Sequence, residues 1–237
     1  MKETNAFSNT NSFYKLSAGL AITMVVYSII TILIIGVFGA QPETAAKVFD
    51  MLQKNLWVGI LRLDILTLLI MPLYYVFILA FYLAMKPDRN VYLLLATLLG
   101  ICGNTLFLAT PSVFSWLELF KAYQANTDVV IQTQILSAGE ALLASDMWHG
   151  SGAQLGGVLL QTAMLMISVQ MLKSPSFGKW TAWSGIAVNG FDLLHILVGF
   201  FAPALGSIIF FIAGPLYFVW YPLLAKDFLR LSKKEIN

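Results

Sequence analysis

The sequence predicts an all-α integral membrane protein, a bundle of six transmembrane helices with amphipathic cap helices on the outer side. Three observations lead there. Of 237 residues, 59% are hydrophobic and only 11% charged, a balance that does not suit a soluble surface. The mean hydropathy is +0.79. The apolar residues gather into six runs, each close to the ~20 residues that cross a hydrocarbon core as a helix. Backbone polar groups in lipid must be satisfied within the segment, which selects helices.

The chain divides into an N-terminal segment 1–16, a six-span region 17–225 and a basic tail 226–237. The first span, Ser17 to Gly39, is too long for the apolar core of a signal peptide, and Phe38-Gly39-Ala40 puts a bulky residue where cleavage wants a small one. It reads as a retained span. Segment 41–56, "QPETAAKVFDMLQKNL", has Ala45, Val48, Phe49, Leu52 and Leu56 on one stripe and predicts a short amphipathic helix. The second span, Trp57 to Met85, carries one kink at Met71-Pro72. The third is Val91 to Thr110. Segment 111–147 opens with Ser115-Trp-Leu-Glu118, a capping-box pattern, and places Val113, Trp116, Leu117, Phe120 and Tyr123 on one face. A break at Asn126-Thr127 separates it from a second helix through Ile131, Ile135, Ala138 and Leu142. These helices either lie against headgroups or close over a pocket. The remaining spans are Trp148 to Leu172, Trp180 to Phe201 and Leu205 to Ala225.

Lys and Arg near the span ends orient the bundle. With the N-terminus inside, the inner side receives Lys2, Lys15, Lys86, Arg89, Lys173, Lys179, Lys226, Arg230, Lys233 and Lys234, and the outer side only Lys47, Lys54 and Lys121. Both termini are therefore expected in the cytoplasm and the protein in the cell membrane. Trp57, Trp116 and Trp148 then fall at the outer interface and Trp180, Trp183 and Trp220 at the inner one, as ring anchoring predicts.

Ionisable side chains within spans are costly and face the bundle interior or water. At ~1.5 Å per residue, Arg62 and Asp64 lie about 7 to 11 Å below the outer end of span two, Asn104 about 9 Å below Thr110, and Asp192 and His195 about 14 and 9 Å below Phe201. His149 heads span four, in "EALLASDMWHGSGAQLGG", with Glu140 and Asp146 beside it. Arg62, Asp64, Asn104 and Asp192 are thus candidate ligand-binding residues. His149, His195 and Asp192 are candidate metal ligands. Arg62 to Asp192 is the expected ion pair, and it serves equally as a structural lock. Asp192 and His195, at i, i+3, share a helix face, whereas Arg62 and Asp64, at i, i+2, do not. Asn104 and Asn189 suit hydrogen bonds between helices.

The runs "LRLDILTLLIMPLYYVFILAFYLAMKPDRN" and "WHGSGAQLGGVLLQTAMLMISVQMLKSPSFGKWTAWSGIA" resemble two regions of an uncharacterised bacterial membrane family, domain of unknown function number 4386. The resemblance lies in six or so spans, an Arg and an Asp early in span two, a short basic turn after it, and a His with glycines opening span four. It covers about half of the chain and implies a bacterial inner-membrane protein, without an activity to carry over.

A single cysteine, Cys102, excludes an intramolecular disulfide and any cysteine-rich metal site. Scattered basic residues and a net charge of +2 leave no nucleic-acid stripe. The first functional reading is an outward-facing polar pocket that binds a lipid headgroup or small polar ligand. The second is a metal-dependent intramembrane hydrolase acting on outer-leaflet lipid, with zinc on His149, His195 and Asp192. The third is a non-covalent b-type haem protein with His149 and His195 as axial ligands. The expected partners are membrane lipid and a small polar ligand.

Overall fold

The computed structural model describes residues 2–39, 41–85, 91–110 and 112–233. All regular structure among them is α-helical: α1 (Lys2–Phe38), α2 (Ala45–Lys54), α3 (Leu56–Arg62), α4 (Ile65–Ile70), α5 (Leu73–Met85), α6 (Val91–Leu108), α7 (Val113–Ala125), α8 (Val129–Ser145), α9 (Ser151–Met171), α10 (Lys179–Gly199) and α11 (Pro203–Leu231). Six stretches are long and apolar enough to cross a membrane: Thr10–Phe38, Ile65–Met85, Val91–Ala125, Ser151–Met171, Lys179–Gly199 and Pro203–Leu231. The all-α, six-span reading therefore stands. Lys86, Arg89, Lys234 and Pro111, used above for topology and for the second outer segment, lie outside the described residues.

The chain forms two compact units. The first comprises Met1–Tyr27, Leu73–Asn104 and Gly157–Asn237, and the second, the cap unit, comprises Ser28–Pro72 and Thr105–Gly156.

In the cap unit the amphipathic stripes find one another. Ala45, Val48, Phe49 and Leu52 of α2 are 0–3% exposed and pack with Leu63 and with Val113, Trp116 and Phe120 of α7. The Phe49 ring lies 5.0 Å from that of Tyr123, 5.9 Å from Phe120 and 6.2 Å, edge-on, from Trp116. Val48, Phe49, Leu52 and Phe120 each contribute about 1.5–3 kcal/mol by leaving water. The stripes of α2 and α7 therefore share a small core of their own, while Phe114, Val129 and Val130 stay exposed. Gly139 lets α8 close on this core: a Cβ there would stand 2.7 Å from the Ala45 Cβ and 3.4 Å from the Trp116 ring.

Several local expectations shift for physical reasons. Leu56 leaves the α2 stripe because Asn55 ends α2 and starts α3, its Oδ1 accepting from Val58 N–H at 3.1 Å, so Leu56 opens α3 and is 45% exposed. The capping box at Ser115 is not the start of α7, since Ser112 takes the N-cap and Ser115 is the third helical residue. The second run is broken twice, not once. Besides Met71-Pro72, the chain turns at Leu63-Asp64, where Asp64 adopts φ 66°, ψ 39°, the left-handed region that Asp tolerates better than most residues. No proline or glycine marks that turn. The turn divides the run, so the unbroken apolar stretch is Ile65–Met85, with Arg62 and Asp64 at the turn that precedes it.

The first unit is held by an aromatic wall. Phe228 of α11 packs on Phe81 at 5.5 Å, Phe177 at 5.7 Å, Tyr14 at 6.2 Å and Phe77 at 6.4 Å, joining α1, α5 and the α9–α10 turn. Helix α11 runs past Ala225 to Leu231, so the beginning of the expected tail is helical and buries Asp227, Phe228 and Leu231. Trp57, Trp148, Trp180 and Trp183 are exposed on the outside of the protein, whereas Trp116 and Trp220 are each 2% exposed. Those last two are core residues and not the interfacial anchors expected of them.

Replacing Gly139 with Leu should wedge α8 from α2, and Phe49→Ala should cost about 3–5 kcal/mol within the cap unit. Limited proteolysis of the purified protein should show both as faster cleavage between residues 40 and 150, with the 157–231 region unchanged.

Candidate functional site

In the cap unit the stretch Asp146 to Gly150 forms a tight turn between α8 and α9. Asp146 is 6% exposed, and its Oδ1 accepts from Trp148 N–H at 2.9 Å and from His149 N–H at 3.0 Å. A carboxylate reaching its own following amides is the ordinary Asp turn. The same Oδ1 lies 3.0 Å from His149 Nδ1, so one buried acid fixes the backbone and the ring together. The imidazole is otherwise half exposed, its side chain 54% accessible, which leaves Nε2 as the ring atom open to a ligand. Beside it is a cleft lined by Gln41, Pro42, Val48, Leu63, Ser112, Val113, Trp116, Leu143 and residues Asp146 to His149. Apolar walls with Gln41, Ser112 and His149 as polar groups suit recognition of a small polar moiety.

The other polar residues of this unit are engaged in holding it. Glu140 Oε1 accepts from Ala45 N–H at 2.8 Å, placing a carboxylate on the first turn of α2. Arg62, 7% exposed, donates from Nη1 to the carbonyl of Phe38, the last residue of α1, where a cation meets the negative end of the helix. Asp64, 8% exposed, heads α4 at the left-handed turn.

The first unit carries a second polar cluster, at the middle of three helices. Asp192 Oδ2 accepts from the Tyr217 hydroxyl of α11 at 2.6 Å and from Gln161 Nε2 of α9 at 2.8 Å. Nearby the Tyr74 and Tyr221 hydroxyls are 2.7 Å apart, and the Tyr217 and Tyr221 rings stack at 5.2 Å. Asp192 and His195 share a face of α10 as expected, but His195 turns Nδ1 to the Gly206 carbonyl at 3.3 Å and its ring to Phe210 at 5.0 Å. Asn189 donates to the Gly185 carbonyl at 2.7 Å and reaches Ser168 Oγ of α9 at 3.5 Å, the interhelical role foreseen for it. Asn104 is fully buried in α6.

The six candidates thus divide. Arg62, Asp64 and His149 belong to the cap unit, and Asn104, Asp192 and His195 to the first. Within each unit Arg62 and Asp192 meet the partners just named. Each histidine likewise has its Nδ1 engaged inside its own unit. Among the described residues no group of three or more His, Cys, Asp or Glu is placed to hold a metal ion.

Sequence reasoning missed Gln161, Tyr217 and Asp227. Gln161 is the middle residue of α9 and was passed over because a single amide in an apolar run carries little signal. Asp227 lay in the supposed tail. It is 4% exposed and accepts from Gly178 N–H at 2.8 Å and Thr181 Oγ1 at 2.6 Å, capping the start of α10, while Arg230 approaches its Oδ1 at 3.1 Å. Arg230 also donates to the Ser176 carbonyl at 2.7 Å, and the Ser176 hydroxyl to the Ala84 carbonyl at 2.7 Å, so α5, the α9–α10 turn and α11 are clasped together.

Fold and composition define a multi-pass α-helical membrane protein. Comparison with family models, curated proteins and solved structures finds no match.

Asp227→Ala should lower stability by about 1–3 kcal/mol because it strips acceptors from buried donors. Arg230→Gln, removing a half-exposed partner, should cost under about 1 kcal/mol. Thermal unfolding of the two variants in detergent checks the order.

Proposed function

We propose that the protein binds a lipid headgroup or another small polar ligand in the cap-unit cleft beside His149. The Asp146–His149 pair carries this reading. Its carboxylate sets the orientation of an accessible imidazole, and Gln41 and Ser112 line the same cleft. A phosphate or hydroxyl group would be met by donors from all three side chains, with Nε2 donating when the ring is protonated. Arg62, a candidate ligand-binding residue by sequence, donates to the Phe38 carbonyl and is assigned to holding the unit.

Titration of the detergent-purified protein with short-chain phosphatidylglycerol, phosphatidylcholine and inorganic phosphate, followed by calorimetry, tests it. Saturable binding weakened about 5–10-fold by His149→Ala, the worth of about one hydrogen bond, is the expected result. Binding unchanged in that variant would remove the cleft from consideration. Signal from phosphate alone would point to a free anion instead of a lipid.

A second reading, hydrolysis of a membrane lipid, is favoured by the same pair, because a carboxylate-oriented imidazole is the usual general base. Release of cleaved lipid by the parent and not by His149→Ala would establish it.

The proposal includes a bacterial cell membrane with both termini cytoplasmic, and membership of the family with domain of unknown function number 4386. The ten-to-three distribution of basic residues supports the orientation. The three outer lysines, moreover, each face a carboxylate one turn away, Lys47 to Glu43, Lys54 to Asp50 and Lys121 to Glu118. Reporter fusions after Gln124 and after Leu172 should report opposite sides. Identical sides would overturn the topology and with it the outward cleft, and Gln124 inside with Leu172 outside would turn the cleft to the cytoplasm.

A further inference from the structure

Thr181, Gly185, Asn189, Asp192 and His195 follow one another at intervals of four, four, three and three residues, and so lie along a single edge of α10. Asp227 and Arg230 extend the series at the Thr181 end. Polar partners come from both packed neighbours: Gln161 and Ser168 from α9, Tyr217 and Trp220 from α11. Gly185 belongs to the edge because it has no side chain. A Cβ there would fall 2.5 Å from Ser168 Oγ and 2.6 Å from Trp220 Nε1, so two polar atoms occupy the place of a methyl group. Successive groups are separated by about 4.5–6 Å along the axis, a gap that one hydrogen-bonded water spans.

Two buried atoms on this edge lack hydrogen-bond partners among the described residues: the acceptor Gln161 Oε1 and the donor Trp220 Nε1. Trp220 is 98% shielded, being 2% exposed. A donor and an acceptor buried without partners are expensive, and an ionisable residue within a span, as Asp192 is, commonly belongs to an ion or proton path. The amide of Gln161 has a further property. Its Nε2 serves the charged carboxylate of Asp192, and its Oε1 is the acceptor a protonated carboxyl would need. Both protonation states of Asp192 therefore find a partner in one side chain.

We propose that this edge of α10 is a proton path, with Asp192 as the group that takes up and returns the proton. In the uptake step an O–H bond forms on Asp192, and the proton leaves either hydronium, giving water, or the His195 imidazolium, giving neutral imidazole; release reverses this. The titratable groups facing Asp192 are His195 on α10, Tyr217 and Tyr221 on α11 and Tyr74 on α5. A hard cation is a poorer occupant. It asks for six or more oxygens, and the Tyr217 and Gln161 donors already point at Oδ2.

The test is proton flux in vesicles reconstituted with the full chain, driven by a valinomycin–potassium potential and read by an entrapped pH dye. The parent should exceed empty vesicles, Asp192→Asn should fall at least about tenfold, and Asp192→Glu should keep flux. Parental flux equal to the empty-vesicle leak, or undiminished flux in Asp192→Asn, overturns the proposal. Should the Asn variant fail to reconstitute, dicyclohexylcarbodiimide decides on the parent: an adduct on Asp192 with loss of flux supports the path, and flux untouched by labelling, or no adduct on Asp192, refutes it.

Discussion

Hydrocarbon offers a polar side chain no solvent, so a polar group in a span is costly unless another group of the protein answers it. The packing of α9, α10 and α11 follows from that requirement. Apolar side chains alone would let these helices rotate, since lipid tails solvate leucine as well as a neighbouring helix does. The bond from Tyr217 to Asp192 fixes the rotation of α11 against α10, and that from Gln161 fixes α9. Asp227 repeats the device one end further on, where it holds the first turn of α10. Aromatic packing around Phe228 then fills the space that these directional contacts define.

The cap unit obeys the opposite rule. Helix α2 carries a charged face and a narrow apolar stripe, and burying that stripe against α7 removes apolar area from solvent. Phe49 is the centre of the result, touching three aromatic rings of α7. Directional bonds appear here chiefly at helix ends: Asn55 between α2 and α3, Glu140 on α2, Arg62 on α1, Asp146 before α9. Charged residues that looked like a shared site in the sequence are, one by one, end groups of helices.

That difference explains what could be read in advance. The spans were legible because about 20 apolar residues have few other uses, and the cap helices because Ala45, Val48, Phe49 and Leu52 recur at helical spacing. The break at Asp64 was hidden because a left-handed aspartate costs little enough to need no glycine. Trp116 and Trp220 were misplaced because an indole suits an interface and a core alike, and only the neighbours decide. Of the candidate site, Asp192 and His149 were legible as rare charges in an apolar chain. The partners of Asp192 were not: Gln161 and Tyr217 come from two other helices, and nothing in a single sequence aligns the rotation of one helix with another. Asp227 was obscured by the basic residues around it, whose charges suggested water.

The placement of the six tryptophans has a spectroscopic consequence. Four of them, Trp57, Trp148, Trp180 and Trp183, stand on the outside, while Trp116 and Trp220 are shielded, one in each compact unit. Acrylamide in the water and brominated lipids in the bilayer should therefore together quench the four far more than the two. The residual blue-shifted emission then comes from one indole in each unit. With Trp116 or Trp220 replaced by Phe, the other becomes a private optical probe of its own unit, and the two halves of the molecule can be watched unfolding separately without any added label.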